Sequence, residues 1–126
     1  EMNKLIPNDR GTQNEIDVLV CKDNKVIIIE CKATKSSLSF KYVQKWLSEI
    51  VPTFRKWLQN TYPQRTYEFQ IWSLGGFDGQ SATLLGKHKE TTTKYTLSYY
   101  SKSDILNIAK KYGDHNFINQ VKKHFS

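Results

Sequence analysis

The chain has 126 residues, 38% of them hydrophobic and 13% aromatic, and 19 basic against 12 acidic side chains set its net charge at +7. That length suits one domain with a single core. No apolar run is long enough for a membrane span, no signal peptide opens the chain, and two cysteines are too few for a disulfide scaffold, which leaves an intracellular, cytoplasmic protein as the expectation.

The charge is unevenly spread. Residues 1–31 carry four basic and six acidic groups, whereas residues 32–126 carry fifteen basic and six acidic ones. A basic remainder of this kind suits a polyanionic partner as well as a merely solvated surface. Cys21 and Cys31 read as buried thiols. His88, His115 and His124 are scattered, with no spacing that suggests zinc. The chain starts at Glu1, and the expectation is a piece of a longer protein.

Residues 1–7 predict an edge strand ending at Pro7, and Asn8-Asp9-Arg10-Gly11 a turn. Residues 15–21 (EIDVLVC) and 26–31 (VIIIEC) are both rich in branched apolar side chains and read as the two strands of a hairpin. Asp23 and Asn24 tolerate positive φ and serve as its two-residue turn. If Lys22 faces Lys25, each opposed pair sums to 47. Asp17 then lies opposite Glu30, and Glu15 opposite Lys32. Opposed residues share a face, with Cβ atoms roughly 4.5–5.5 Å apart. Two carboxylates so close repel, and an apolar strand centre desolvates them, so a shared proton, a buried base or a metal ion must compensate. Lys32, two residues beyond Glu30, adds an ammonium to the same patch.

Asp17 followed by Glu30-Cys31-Lys32 at the end of an apolar strand resembles the PD-(D/E)XK nuclease superfamily, including its Mrr-like and resolvase-like members. Ile16 stands at the nominal proline position, which has no chemical role. The motif spans about a quarter of the chain. The resemblance implies a Mg2+ site, with Mn2+ able to substitute, held by Asp17, Glu30 and the backbone carbonyl of Cys31. It implies that Lys32 positions or activates the attacking water, and that DNA is favoured over RNA as substrate. It also implies a helix before the first strand, which is missing here, and a homodimer as one way of cutting a duplex.

Ala33 to Ser39 predicts a loop, with Ser37 or Ser39 capping a helix. Val43, Trp46, Leu47, Ile50, Val51, Phe54, Trp57 and Leu58 recur at helical spacing as one apolar stripe. Pro52, inside it, should kink or split the helix. Lys41, Lys45, Arg55 and Lys56 fall on the other side. No acidic residue occurs from Lys32 to Lys45, which leaves Lys35 and Lys41 free to meet a polyanion. The resemblance implies that the helix after the second hairpin strand packs beside the site, so Gln44 and Lys45 are candidates for contacts to substrate or to the attacking water, with a solvated helix face the competing reading for each. Glu15 shares the site's face in the hairpin count, although a plain salt bridge from Glu15 to Lys32 is the simpler reading.

Residues 66–74 alternate as a strand whose two faces are both covered, and residues 94–100 as another that pairs with it. Gly75 to Gly79 reads as a turn. A short helix is expected at 80–89, a helix at 104–112 capped by Ser103 and closed by Gly113, and a last one at 115–125 capped by Asp114. The predicted architecture is α/β: a restriction-endonuclease-like three-layer sandwich with a mixed central sheet and flanking helices. Metal-dependent phosphodiester hydrolysis is the leading function. An inactive nucleic-acid-binding or assembly module of the same fold is the alternative. A purely structural pairing of Glu30 with Lys32 at a sheet edge is the third reading.

Overall fold

The hairpin forms in the expected register. In the computed structural model, strands β2 (Gln13–Lys22) and β3 (Lys25–Lys32) pair antiparallel, from Lys22 opposite Lys25 to Val18 opposite Ile29. Asp23 takes φ +54° at the turn, a conformation its short polar side chain tolerates. The structure describes residues 2–7, 13–33, 35–105 and 107, with side chains from Val18 onward. The readings at 8–11, the closure at Gly113, the cap at Asp114 and the helix at 115–125 lie outside the described residues.

β1 (Met2–Pro7) pairs antiparallel with β2 and forms the edge of the sheet, as its sequence predicts. β4 (Thr66–Ser73) and β5 (Thr96–Tyr100) extend the sheet beyond β3, each parallel to its neighbour, in the order β1-β2-β3-β4-β5. Parallel neighbours need crossovers, and these are helical. The first comprises α1 (Phe40–Lys45), a π-helical turn (Trp46–Ile50) and α2 (Val51–Thr61), and the second is α3 (Gly79–Thr91). Two successive right-handed crossovers that step in the same direction put their helices on one face of the sheet. The larger core lies there. It joins Val43, Trp46, Leu47, Val51, Phe54, Leu58 and Leu85 to Val26, Ile28, Tyr67, Phe69, Ile71 and Leu97.

Pro52 does not split the long helix. The turn before α2 widens instead, and the Val51 amide bonds to the Trp46 carbonyl, five residues back. Proline has no N–H to give, and its ring crowds the carbonyl four residues earlier. One extra residue in that turn relieves the crowding while the apolar stripe stays on the sheet. Ile50 and Trp57 are only half-buried at its margins.

The opposite face carries a smaller cluster of Val18, Ile29, Cys31, Trp72 and Ile105. β4 is covered on both faces, and its polar residues on this second face are buried too. Lys25 Nζ lies 3.2 Å from Glu68 Oε1, Gln70 donates to Glu68, and Trp72 Nε1 donates to Gln70 Oε1 at 2.8 Å. Each buried polar group in this ladder has a partner, which is the condition for placing it there.

Three local expectations are corrected. Cys21 is exposed near the hairpin tip, whereas Cys31 is buried. α3 runs through thirteen residues and is not short; Asp78 caps it, accepting from the Ser81 amide at 2.7 Å, a bond that holds the Asp78 carboxyl below its ordinary range. The helical turn at 102–105 is capped by Ser101 and not by Ser103. Asp104 Oδ2 accepts from the Ser101 amide at 3.0 Å while the Ile105 amide bonds to the Ser101 carbonyl, so the cap lies two residues earlier than expected.

Candidate active site

Side chains alternate along a strand, so Val26, Ile28, Glu30 and Lys32 of β3 share the face that meets the helices. The first two belong to the core, and the last two carry charge where the strand leaves it. Glu30 retains only 9% of its surface. A carboxylate so placed needs donors, and two are present on the same oxygen. The Tyr42 hydroxyl donates to Glu30 Oε2, and Lys32 Nζ lies 3.7 Å from that atom. The Lys32 ammonium also sits 4.6 Å from the centroid of the Tyr42 ring, within cation–π range. Glu30, Lys32 and Tyr42 thus form one cluster at the C-terminal end of β3, the end at which parallel α/β sheets place their sites.

The chain after β3 is held so that Tyr42 reaches this point. The Leu74 amide bonds to the Lys32 carbonyl at 3.1 Å. Further on, Leu38 bridges to Phe77, its amide bonding to the Gly76 carbonyl at 3.0 Å and its carbonyl accepting from the Asp78 amide at 3.3 Å. Gly75 presses against the same loop. A Cβ there would stand 2.0 Å from the Ser36 carbonyl oxygen, so only glycine allows the approach. Gly76 takes φ +75°, which glycine adopts without strain. Ser39, as expected, caps α1 by accepting from the Tyr42 amide at 3.3 Å. The cap fixes the first turn of the helix, and with it the phenol.

The sequence-derived candidates divide as follows. Glu30 and Lys32 come together as expected. The described β2–β3 pairing ends at Val18 opposite Ile29, one step short of Asp17 and Glu30. The Asp17 and Glu15 side chains lie outside the described residues; the Glu15 backbone faces Leu5 on β1. The Cys31 side chain points into the smaller core, so only its backbone belongs to the site. Lys35, Lys41, Gln44 and Lys45 are all exposed, and the α1 side chain that reaches Glu30 is Tyr42 instead. Lys41 and Lys45, four residues apart, share one flank of α1. Among the described residues no three His, Cys, Asp or Glu side chains gather as a metal cluster, and no helix is long and apolar enough to cross a membrane.

Tyr42 escaped the sequence reading. The signal lay in its position one turn before buried Trp46, on the side of the helix that meets the sheet, where its ring is half-buried and its polar tip can reach a partner.

A mixed sheet with flanking helices, bearing a buried acid and a lysine two residues on at a strand end, is compatible with a nuclease-like fold. The sequence pattern of the nuclease-related domain family, NERD, matches residues 2–75, more than half of the chain, and the chain belongs to that family. The matched stretch contains the whole Glu30–Lys32–Tyr42 cluster and ends at the glycine that touches Ser36. No curated protein matches the chain, and no solved structure does.

Proposed function

We propose that this domain is a metal-dependent nuclease of the PD-(D/E)XK type that hydrolyses phosphodiester bonds, with DNA favoured over RNA. The observation that carries the reading is the buried Glu30 carboxylate with the Lys32 ammonium 3.7 Å away, on a strand whose register leads to Asp17. Carboxylate and carbonyl oxygens are the hard donors that Mg2+ prefers. The residues therefore fit the ion. Asp17, Glu30 and the Cys31 carbonyl would hold it, and Mn2+ could take its place. When bound, the metal supplies charge at a phosphoryl oxygen and acidifies water.

Lys32 donates hydrogen bonds to the attacking water or to a non-bridging phosphoryl oxygen, adding positive charge where negative charge develops. The exposed ammonium groups of Lys35, Lys41 and Lys45 offer partners to backbone phosphates on either side of the scissile bond.

The test is incubation of the protein with circular DNA, linear DNA and RNA in Mg2+, Mn2+ or chelator, beside a Lys32→Ala control. Cleavage of DNA that needs the metal and Lys32 supports the reading. Nucleic-acid binding that is equal with metal and with chelator, and never followed by cleavage, would identify an inactive binding module instead.

A further inference from the structure

We infer that Tyr42 is a positioning residue of this site, its hydroxyl orienting the Glu30 carboxylate for the metal and its ring seating the Lys32 ammonium. The inference rests on the metal-dependent reading above and adds a third residue to it, from a different element.

Four observations converge on Tyr42. It joins α1 to β3 across twelve positions of sequence, and packing alone would be served as well by phenylalanine. Its hydroxyl takes the same oxygen, Oε2, that the Lys32 ammonium approaches. Its ring face lies 4.6 Å from that ammonium, so one side chain contacts both charged groups by two different parts. Its position is determined independently by the Ser39 cap and by the Leu38–Phe77 bridge that anchors the loop before it.

The consequence for the site is physical. A divalent cation at Glu30 would share that carboxylate with Lys32, and the Tyr42 ring would hold the Lys32 ammonium beside the site, since an aromatic face attracts a cation without neutralising it. The hydroxyl meanwhile limits rotation of the carboxylate, as the outer hydrogen-bond partners of metal ligands commonly do.

The two parts separate by mutation. Tyr42→Phe removes the hydroxyl and keeps the ring. Tyr42→Leu removes both. The experiment measures Mn2+ binding directly, by electron paramagnetic resonance of the free ion, and cleavage of linear DNA at saturating Mn2+, with thermal melting of each variant. Tyr42→Phe is expected to weaken Mn2+ binding by roughly 10-fold with kcat at saturating metal preserved. Tyr42→Leu is expected to weaken Mn2+ binding to the same degree and also to lower kcat, because Lys32 has lost its seat. Wild-type Mn2+ binding in Tyr42→Phe, with a normal melting curve, would overturn the proposal while leaving the nuclease reading intact. A wild-type protein that neither binds Mn2+ nor cleaves would overturn both.

Discussion

Lys32 Nζ and Glu30 Oε2 stand 3.7 Å apart on one face of β3, two residues from each other along the strand. The pair is too exposed at its lysine end to matter much for stability, since such ion pairs typically contribute about 0–1 kcal/mol. In the proposed mechanism its value is chemical. Asp17→Asn, Glu30→Gln and Lys32→Met are each expected to lower cleavage by roughly 100-fold or more. Lys32→Met should still bind Mn2+, whereas Glu30→Gln should not. Cleavage and Mn2+ titration of the same three samples check this, and full turnover by any one variant removes that residue from the mechanism.

Chelation should behave as a reversible switch. Activity lost in excess chelator is expected to return on adding Mg2+, with no change in the far-ultraviolet circular dichroism, because the sheet is held by backbone hydrogen bonds and its cores by apolar side chains. A cleavage assay run through one cycle of chelation and replenishment checks it.

Gly75 meets the Ser36 main chain with no room for a methyl group. Gly75→Ala must push back the loop that leads to Ser39 and Tyr42. The expected cost is about 1–3 kcal/mol in urea unfolding, from overpacking. Activity should fall as well, since the displaced loop carries the α1 cap. A variant that loses stability and retains wild-type cleavage would show that the loop can move without disturbing Tyr42.

Phe54 is 1% exposed in the core between α2 and the sheet. Phe54→Ala is expected to destabilise the fold by about 3–5 kcal/mol, through lost burial and the cavity left behind. Urea titration against wild type measures it, and a loss below 1 kcal/mol would contradict the packing described.

His88 Nε2 lies 2.5 Å from the Tyr95 hydroxyl, and burial pushes the imidazole below its ordinary 6.5 while pushing the Tyr95 phenol up. The folded protein therefore resists a proton that the unfolded chain accepts. The stabilisation from neutral His88 is complete above pH 6.5, and it is lost as pH falls from there through the lower folded value. Thermal melting between pH 7.5 and 5 should show a decline that His88→Gln flattens; identical pH profiles for the two would refute the assignment.

Local pairing made much of this protein legible in its sequence. A two-residue turn at Asp23-Asn24 determines which residues oppose each other, so the β2–β3 register and the meeting of Glu30 with Lys32 follow from counting along one hairpin. The apolar stripe from Val43 to Leu58 announced its helix by period alone. Tertiary structure decided what no local period contains. Parallel crossovers chose the face on which the helices lie, and with it the approach of Tyr42 to Glu30 from twelve residues away. Pro52 produced a π turn and not a break because the sheet beneath rewards a continuous apolar face. Gly75 looked like an ordinary turn glycine until Ser36 arrived against it from a separate loop. Register and amphipathic period are properties of neighbours in the chain, whereas the third member of the site depends on the packing of whole elements.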